Sequence, residues 1–198
     1  MLRHILICGA LVFAAASAQA QTAVRIRGVL AGIEGNALLV KSREGQDLRI
    51  AIAPDTAFTY MKKLSLADVK PGTPLGTSAV MGPGGKLIAR ELHLFAPDRP
   101  VPNEGHRPWD LEPGSTMTNG RISAVATAGG GREFTLSYAG GSQQLIVPGD
   151  VPVVTAVPGE RSQLKVGEYV FIAATLGADD KLAATRVQFT KDGVRPPQ

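Results

Sequence analysis

Few side chains in this chain carry obvious chemistry, and most of them fall in one stretch, EGHRPWDLEPGSTMTNG, residues 104 to 120. His106 stands there near Glu104, Asp110 and Ser115. These are the residue types of a Ser-His-acid hydrolytic site, in which the histidine takes the serine proton and a carboxylate orients the ring. The competing reading is a solvated histidine in a polar linker, and no nucleophile elbow, H-E-x-x-H or phosphate-cradling glycine loop accompanies it. GPGG (82–85) and AGGGRE (128–133) sit between strand-like segments and read as hairpin turns.

Metal chemistry is the next candidate. His93, His106, Met81 and Met117 are soft or borderline donors that suit copper or zinc. No two histidines have i, i+2 or i, i+4 spacing, so a metal site would have to be assembled across the fold from His93, His106 and Met117. The alternative for His93 is a strand histidine facing outward. A third constellation is His106, Arg107, Trp109 and Asp110, the ligand-binding candidates. Trp109 is the only tryptophan, and a ring of that size among prolines and glycines is seldom left in water. It either staples the segment into a groove or lines a cleft between domains, where ligand sites concentrate. No cofactor motif is present.

Residues 1–20, MLRHILICGALVFAAASAQA, read as a secretory signal peptide: a basic start, an apolar run and an Ala18-Gln19-Ala20 cleavage signal. The apolar run is shorter than the roughly 20 residues a spanning helix needs. Cys8 lies inside the run, which argues against a lipid anchor, and it is the only cysteine. The mature chain is therefore expected to be periplasmic or secreted, without disulfides and without a membrane span. It would carry 20 basic and 17 acidic residues, a net +3, too dispersed to demand a polyanionic partner. With only 5% aromatics, single-stranded nucleic acid is also disfavoured, since such sites stack bases on exposed rings. Phe134, Phe171 and Phe189 alternate as core residues do.

The remaining residues say the same thing twice. Shifted by 95 positions, residues 67–95 fall on 162–190 without a gap, pairing Lys70 with Lys165, Gly72 with Gly167, Ala79 with Ala174 and Gly82 with Gly177. Lys86-Leu87 then meets Lys181-Leu182 and Ala89 meets Ala184, seven identities with matching turn chemistry. Upstream, Asp55 pairs with Asp150, while Gly28 pairs with Gly120 at an offset of 92, a difference assigned to the Gly129-Gly130-Gly131 loop. Each copy alternates apolar and polar residues in short runs broken every 8 to 12 residues. In the first copy the runs are VRIRGVLAGI, ALLVKS, DLRIAIA, AFTY, PLGTSAVM and KLIARELHLF. Ser65 and Asp68 have capping-box spacing for a single helical turn stopped by Pro71-Gly72. Five prolines between the copies, at 97, 100, 102, 108 and 113, make strand or helix unfavourable there.

These paired features resemble a group of exported bacterial proteins that carry tandem copies of an uncharacterised β-domain. The resemblance is carried by Gly28 and Gly120, by the K-x-G corners at Lys70 and Lys165, and by G-x-x-x-K-L-x-A at Gly82 and Gly177. GHRPWDLEPGSTMTN is similar to the junction in close relatives. The resemblance implies tandem small barrels and no established activity; relatives of this kind sometimes carry automatic metal-transporter permease labels, which a chain without a spanning segment does not suit. The expected architecture is all-β: two tandem small antiparallel β-barrels, OB-like or similar, related by an internal repeat. The expected segments are 1–20 signal peptide, 23–95 first barrel, 96–116 proline-rich strap, 117–190 second barrel and 191–198 flexible tail. The expected function is a non-enzymatic binding or interaction module of the cell envelope, its partner an unknown envelope protein or small ligand.

Overall fold

The computed structural model describes residues 22–128 and 131–196. The expected signal peptide and the Gly129-Gly130 part of the glycine loop lie outside the described residues. Among those residues all regular structure is β, except three single 3-10 turns. The strands are β1 (Thr22–Glu34), β2 (Ala37–Ser42), β3 (Asp47–Lys63), β4 (Pro74–Met81), β5 (Leu87–Ala89), β6 (Leu92–Leu94) and β7 (Gly105–Pro108). They continue with β8 (Thr116–Ala128), β9 (Gly131–Tyr138), β10 (Gly141–Pro148), β11 (Val153–Pro158), β12 (Tyr169–Leu176) and β13 (Leu182–Phe189). The expected capping box is present: Ser65 Oγ accepts from the Ala67 N–H and Asp68 accepts from the Ser65 N–H, closing the turn Leu66–Asp68.

The pairing order departs from the chain order. β1, β2 and β3 form an antiparallel meander that is completed by β13 and β12 from the far end of the chain, closing a five-stranded barrel. Its core joins Leu30, Leu38 and Ile50 to Val170, Ile172 and Phe189. The other strands run through a second circuit of pairings, in which β8, β9 and β10 are completed by β5 and β4. Its core joins Ile122, Phe134 and Leu145 to Leu75 and Leu87. Each circuit thus takes three strands from one half and a terminal hairpin from the other.

Two consequences correct the sequence reading. The expected boundary at 96–116 does not separate the circuits, because strands on either side of it pair across it. The strand pairing is also not wholly antiparallel: β3 pairs with β13, β10 with β5 and β11 with β6 in parallel. A hairpin delivered from the other half meets the third strand in the same direction, which no adjacent hairpin can do.

The registers match at the repeat offset. Leu182 lies opposite Ile50, and Leu87 lies opposite Leu145, each residue 95 from its equivalent. Between the circuits β3 and β11 pair antiparallel, with Met61 opposite Ala156. These two are also 95 apart, so the pair sits on a local two-fold axis. Gly28 and Gly120 have one cause: a Cβ at either would collide with the carbonyl oxygen of Lys41 or Ser137 in the neighbouring strand. Both precede equivalent bulges, at Leu30/Gly32 and Ile122/Ala124.

Three local expectations also change. Pro54-Asp55 does not end a strand; β3 bends through it, because Thr56 Oγ1 accepts from the Ala53 N–H at 2.9 Å and donates to the Ala184 carbonyl at 2.9 Å. The proline segment does contain a strand, β7, which adds to the outer part of β8; Pro108 ends it, where no ladder donor is required. The expected flexible tail turns back through the Lys191↔Val194 bridge and lays Arg195 over Tyr169 at 5.7 Å.

Produced separately, segments 22–95 and 116–196 are each expected to lack a closed circuit. Each alone should show weak β-sheet circular dichroism or self-association, and mixing should restore one folded 1:1 species on size exclusion. Two halves that fold independently as monomers would contradict the exchanged hairpins.

Candidate functional site

A chain segment with five prolines has carbonyl acceptors in excess of amide donors, so it is held best by side chains that offer N–H donors. Arginine and asparagine do this from both halves. From the first half Arg27 donates to Asp110 at 2.8 Å, Arg43 donates to the Asp110 and Leu111 carbonyls, and Arg90 donates to Glu112 at 2.6 Å. From the second half Asn119 Nδ2 donates to the Pro102 carbonyl at 2.7 Å, and Arg121 donates to the Arg99 carbonyl at 3.2 Å. Within the strap the Trp109 N–H donates to the Ser115 carbonyl, and the Ser115 hydroxyl returns to the Trp109 carbonyl. Residues 96–116 therefore form an ordered clasp across the place where the two halves meet.

Trp109 is its centre. The Arg25 guanidinium lies 4.2 Å from the ring centroid, Arg107 5.7 Å and Arg27 5.9 Å, and Arg27 also lies 5.0 Å from Phe171. Arg27 is 3% exposed, so its charge is taken from water and balanced by Asp110 and two aromatic faces. Burial draws the Asp110 carboxyl upward, but the hydrogen bond and charge of Arg27, with the charge of Arg25, outweigh it and hold it below the usual range. Burial and the neighbouring Arg25 lower the Arg107 guanidinium. Positive charge is in surplus: three arginines crowd the indole against one carboxylate.

Beneath the strap lies a cavity of about 140 Å³. Its walls pair equivalents from the two halves: Gly76 with Phe171, Glu91 with Arg186, and His93 with Gln188, each 95 residues apart. Asn103, Arg107 and Trp109 of the strap, with Met117 and Asn119 of β8, complete it. The cavity thus straddles the local two-fold, but the pairs that meet there are chemically unlike. Gly76 leaves the space that Phe171 fills on the other side; a Cβ at Gly76 would stand 2.5 Å from Asn119 Oδ1. The Trp109 indole nitrogen and Asn119 Oδ1 are buried without a protein hydrogen-bond partner. A larger cleft of about 1010 Å³ runs past Lys63, Arg90, Asp150 and the tail residue Arg195. Both spaces are half open to solvent, and the Arg90 of the larger one is bound to Glu112.

Of the four ligand-binding candidates, Arg107 and Trp109 line the cavity, while Asp110 lies behind it on Arg27. His106 stands elsewhere. Opposed residues of an antiparallel ladder share a face and successive ones alternate; Arg107 opposes Met117 toward the cavity, so His106, opposing Thr118, takes the other face. Its Nδ1 lies 2.8 Å from Thr118 Oγ1 and its ring stacks on Tyr138. The copper or zinc set of His93, His106 and Met117 is therefore split between two faces. Among the described residues no cluster of three His, Cys, Asp or Glu could hold a metal ion. The parts of a hydrolytic triad are likewise separate: Asp110 binds Arg27, and Ser115 binds the strap backbone.

His93 corrects the outward-facing reading. It is largely buried in the cavity wall, 5.2 Å from Phe95, and burial together with the charge of Arg186 lowers its pKa from 6.5 to about 4. Phe171, expected in a core, instead lines the cavity beneath Arg27. Arg25, Arg27, Arg186 and Asn119 were not singled out by sequence. One signal was available for two of them: Arg27 and Asn119 each precede one of the paired glycines, Gly28 and Gly120, and both are buried polar residues gripping the strap.

Trp109→Ala should lower unfolding free energy by about 2 kcal/mol, a partly buried aromatic truncation, measured in urea. Wild-type emission should be that of a shielded indole. Between pH 6.5 and 4 the unfolded chain takes up a proton that folded His93 refuses, so stability should fall as pH drops through this window. At about 1.4 kcal/mol per pKa unit the loss approaches roughly 3 kcal/mol near pH 4, and His93→Gln, which installs the residue type of position 188, should flatten that part of the curve. No family model, curated protein or solved structure matches this chain.

Proposed function

We propose that this protein is an exported, non-enzymatic binding module of the cell envelope, and that its ligand occupies the cavity beneath the strap. The single observation that carries the reading is a cavity where the two halves meet, walled by Arg107 and Trp109 of the strap and by His93, Phe171 and Arg186. A concave site walled by aromatic rings and a few charged side chains is where small ligands bind. Export rests on the basic, apolar and small-residue order of residues 1–20. Among the described residues no helix is long and apolar enough to cross a membrane.

The scaffold is read as two OB-like barrels, five-stranded and mixed, descended from one duplicated unit and completed by exchanged terminal hairpins. Register identity at an offset of 95 supports this. A duplicated pair with unlike residues on its axis makes a single asymmetric pocket without new secondary structure, which suits recognition rather than chemistry.

The test follows Trp109 emission, the only indole signal, while small polar compounds are added to the full chain. A true ligand is expected to shift emission saturably and to raise the melting temperature. Arg107→Met, which removes a charged donor from the cavity wall, is expected to weaken that response about tenfold, the usual cost of one hydrogen bond to a ligand. A library in which no compound moves either signal would overturn the proposal.

A further inference from the structure

One strand edge is covered in the second half and bare in the first. β8 runs past the end of β9, and there β7 takes the open side: Arg107 lies opposite Met117, Gly105 opposite Asn119, and the Trp109 N–H donates to the Ser115 carbonyl. At the offset of 92 that pairs Gly28 with Gly120, the residues Ser115, Met117 and Asn119 correspond to Ala23, Arg25 and Arg27 of β1. β1 likewise runs past the end of β2, whose ladder with it begins at Gly28. Among the described residues no strand stands where β7 would on that side of β1.

The backbone groups left there follow from alternation. Leu30 exchanges bonds with the chain leading into β12, at Glu168 and Gly167, whereas the Arg27 carbonyl accepts from the Arg43 N–H on the β2 side. Successive residues of an antiparallel strand direct their amide and carbonyl to opposite sides. Val24 and Ile26 therefore serve β12, while Ala23 and Arg25 point their N–H and C=O groups toward the bare edge. Thr22, Ala23 and Arg25 are exposed.

The side chains set the chemistry of an occupant. Opposed residues of an antiparallel ladder share a face, so a residue opposite Arg25 stands beside that guanidinium on the outer face. Arg25 is half exposed, and its nearest carboxylate, Asp110 at 3.7 Å, is held more closely by Arg27 at 2.8 Å. Arg107 adds a third positive charge, near enough to be lowered by Arg25. An acidic residue opposite Arg25 is favoured and a basic one is not. The flanking positions lie beside Val24 and Ile26, which turn to the barrel core, and suit apolar residues. A second copy of this chain lacks that complement: the register engaging Ala23 and Arg25 of both copies would set the two Arg25 side chains diagonal on one face.

We propose that the bare edge of β1, at Ala23 and Arg25, binds an extended segment of a partner protein by antiparallel strand addition, with an acidic residue opposite Arg25 and apolar residues on either side of it. None of Thr22–Ile26 lines the cavity beneath the strap, so this surface stands or falls apart from the cavity's ligand.

The probe is a blocked tetrapeptide, acetyl-Val-Glu-Val-Thr-amide, carrying a fluorophore and read by anisotropy on the intact chain. The expected result is saturable binding. Methylating the glutamate amide nitrogen, which faces the Arg25 carbonyl, should weaken it at least about tenfold; methylating the second valine amide, which points away, should leave it unchanged. Lysine in place of the glutamate should also bind at least about tenfold more weakly, and Arg25→Glu should reverse that preference. Ala23→Pro, which deletes a donor of the bare edge and none of the ladder to β12, should weaken binding too. The peptide series needs no variant, so a variant that fails to fold does not remove the test. No binding of the glutamate peptide, binding indifferent to methylation of its glutamate amide, or glutamate and lysine peptides bound alike would each overturn the proposal. A chain that dimerises in sedimentation, and that Ala23→Pro keeps monomeric, would give the edge to a second copy and overturn it as well.

Discussion

The whole molecule depends on one parallel contact, β13 of the second half laid along β3 of the first, with its counterpart β5 along β10. A β meander of three strands leaves an unpaired edge on each side, and such edges are a liability in water. Here the edges of each meander are closed by a hairpin that the chain delivers only after completing the other half. Neither core can therefore form without both halves, and the stability of the two circuits is coupled through pairing rather than through a surface contact. Exchange also forces β3 and β11 to lie side by side at the crossing, which creates the local two-fold at Met61 and Ala156.

The site follows from that symmetry and from its failure. Equivalent residues must meet around the axis, so a charge at one position would face its own copy. The chain avoids this by divergence: Glu91 where the equivalent is Arg186, Gly76 where it is Phe171, His93 where it is Gln188. The strap adds the asymmetry that no repeat can supply, because it occurs once. Its prolines make it a band of acceptors, and the arginines that hold it also concentrate positive charge around Trp109. Clasp and electrostatics are the same set of interactions. Burying Arg27 at 3% exposure costs desolvation that only the Asp110 pairing and the two aromatic faces offset, so the geometry there is tightly specified.

Much of the scaffold was legible in the residues. Alternation placed the strands, Ser65 and Asp68 marked a capped turn, and Gly28 and Gly120 stood out as a pair, which the fold explains by a neighbouring carbonyl too close for a side chain. These are local facts, and local facts show in local patterns. Trp109 and Arg107 stood out because they are unusual where they stand. Arg27 did not, since an arginine within an alternating strand looks like any solvent-facing residue until something covers it. His93 was misread for the same reason: β6 alone gives no sign that β11, the strap and Arg186 enclose that face.

The sequence by itself determined an all-β chain, the position of most of its turns, and two runs of residues that align at an offset of 95 with one unlike segment between them. Only the tertiary structure decided which hairpin completes which meander. Because equivalent strands share register and apolar pattern, a hairpin fits its own half and the other half equally well by pattern, and nothing within a strand distinguishes the two pairings. The choice belongs to contacts remote in sequence: the strap's ties to both halves, the crossing of β3 with β11, and the unlike pairs that can meet only across the axis. For that reason the fold class could be read from the residues, whereas the cavity, made of side chains from widely separated stretches of chain, required the fold.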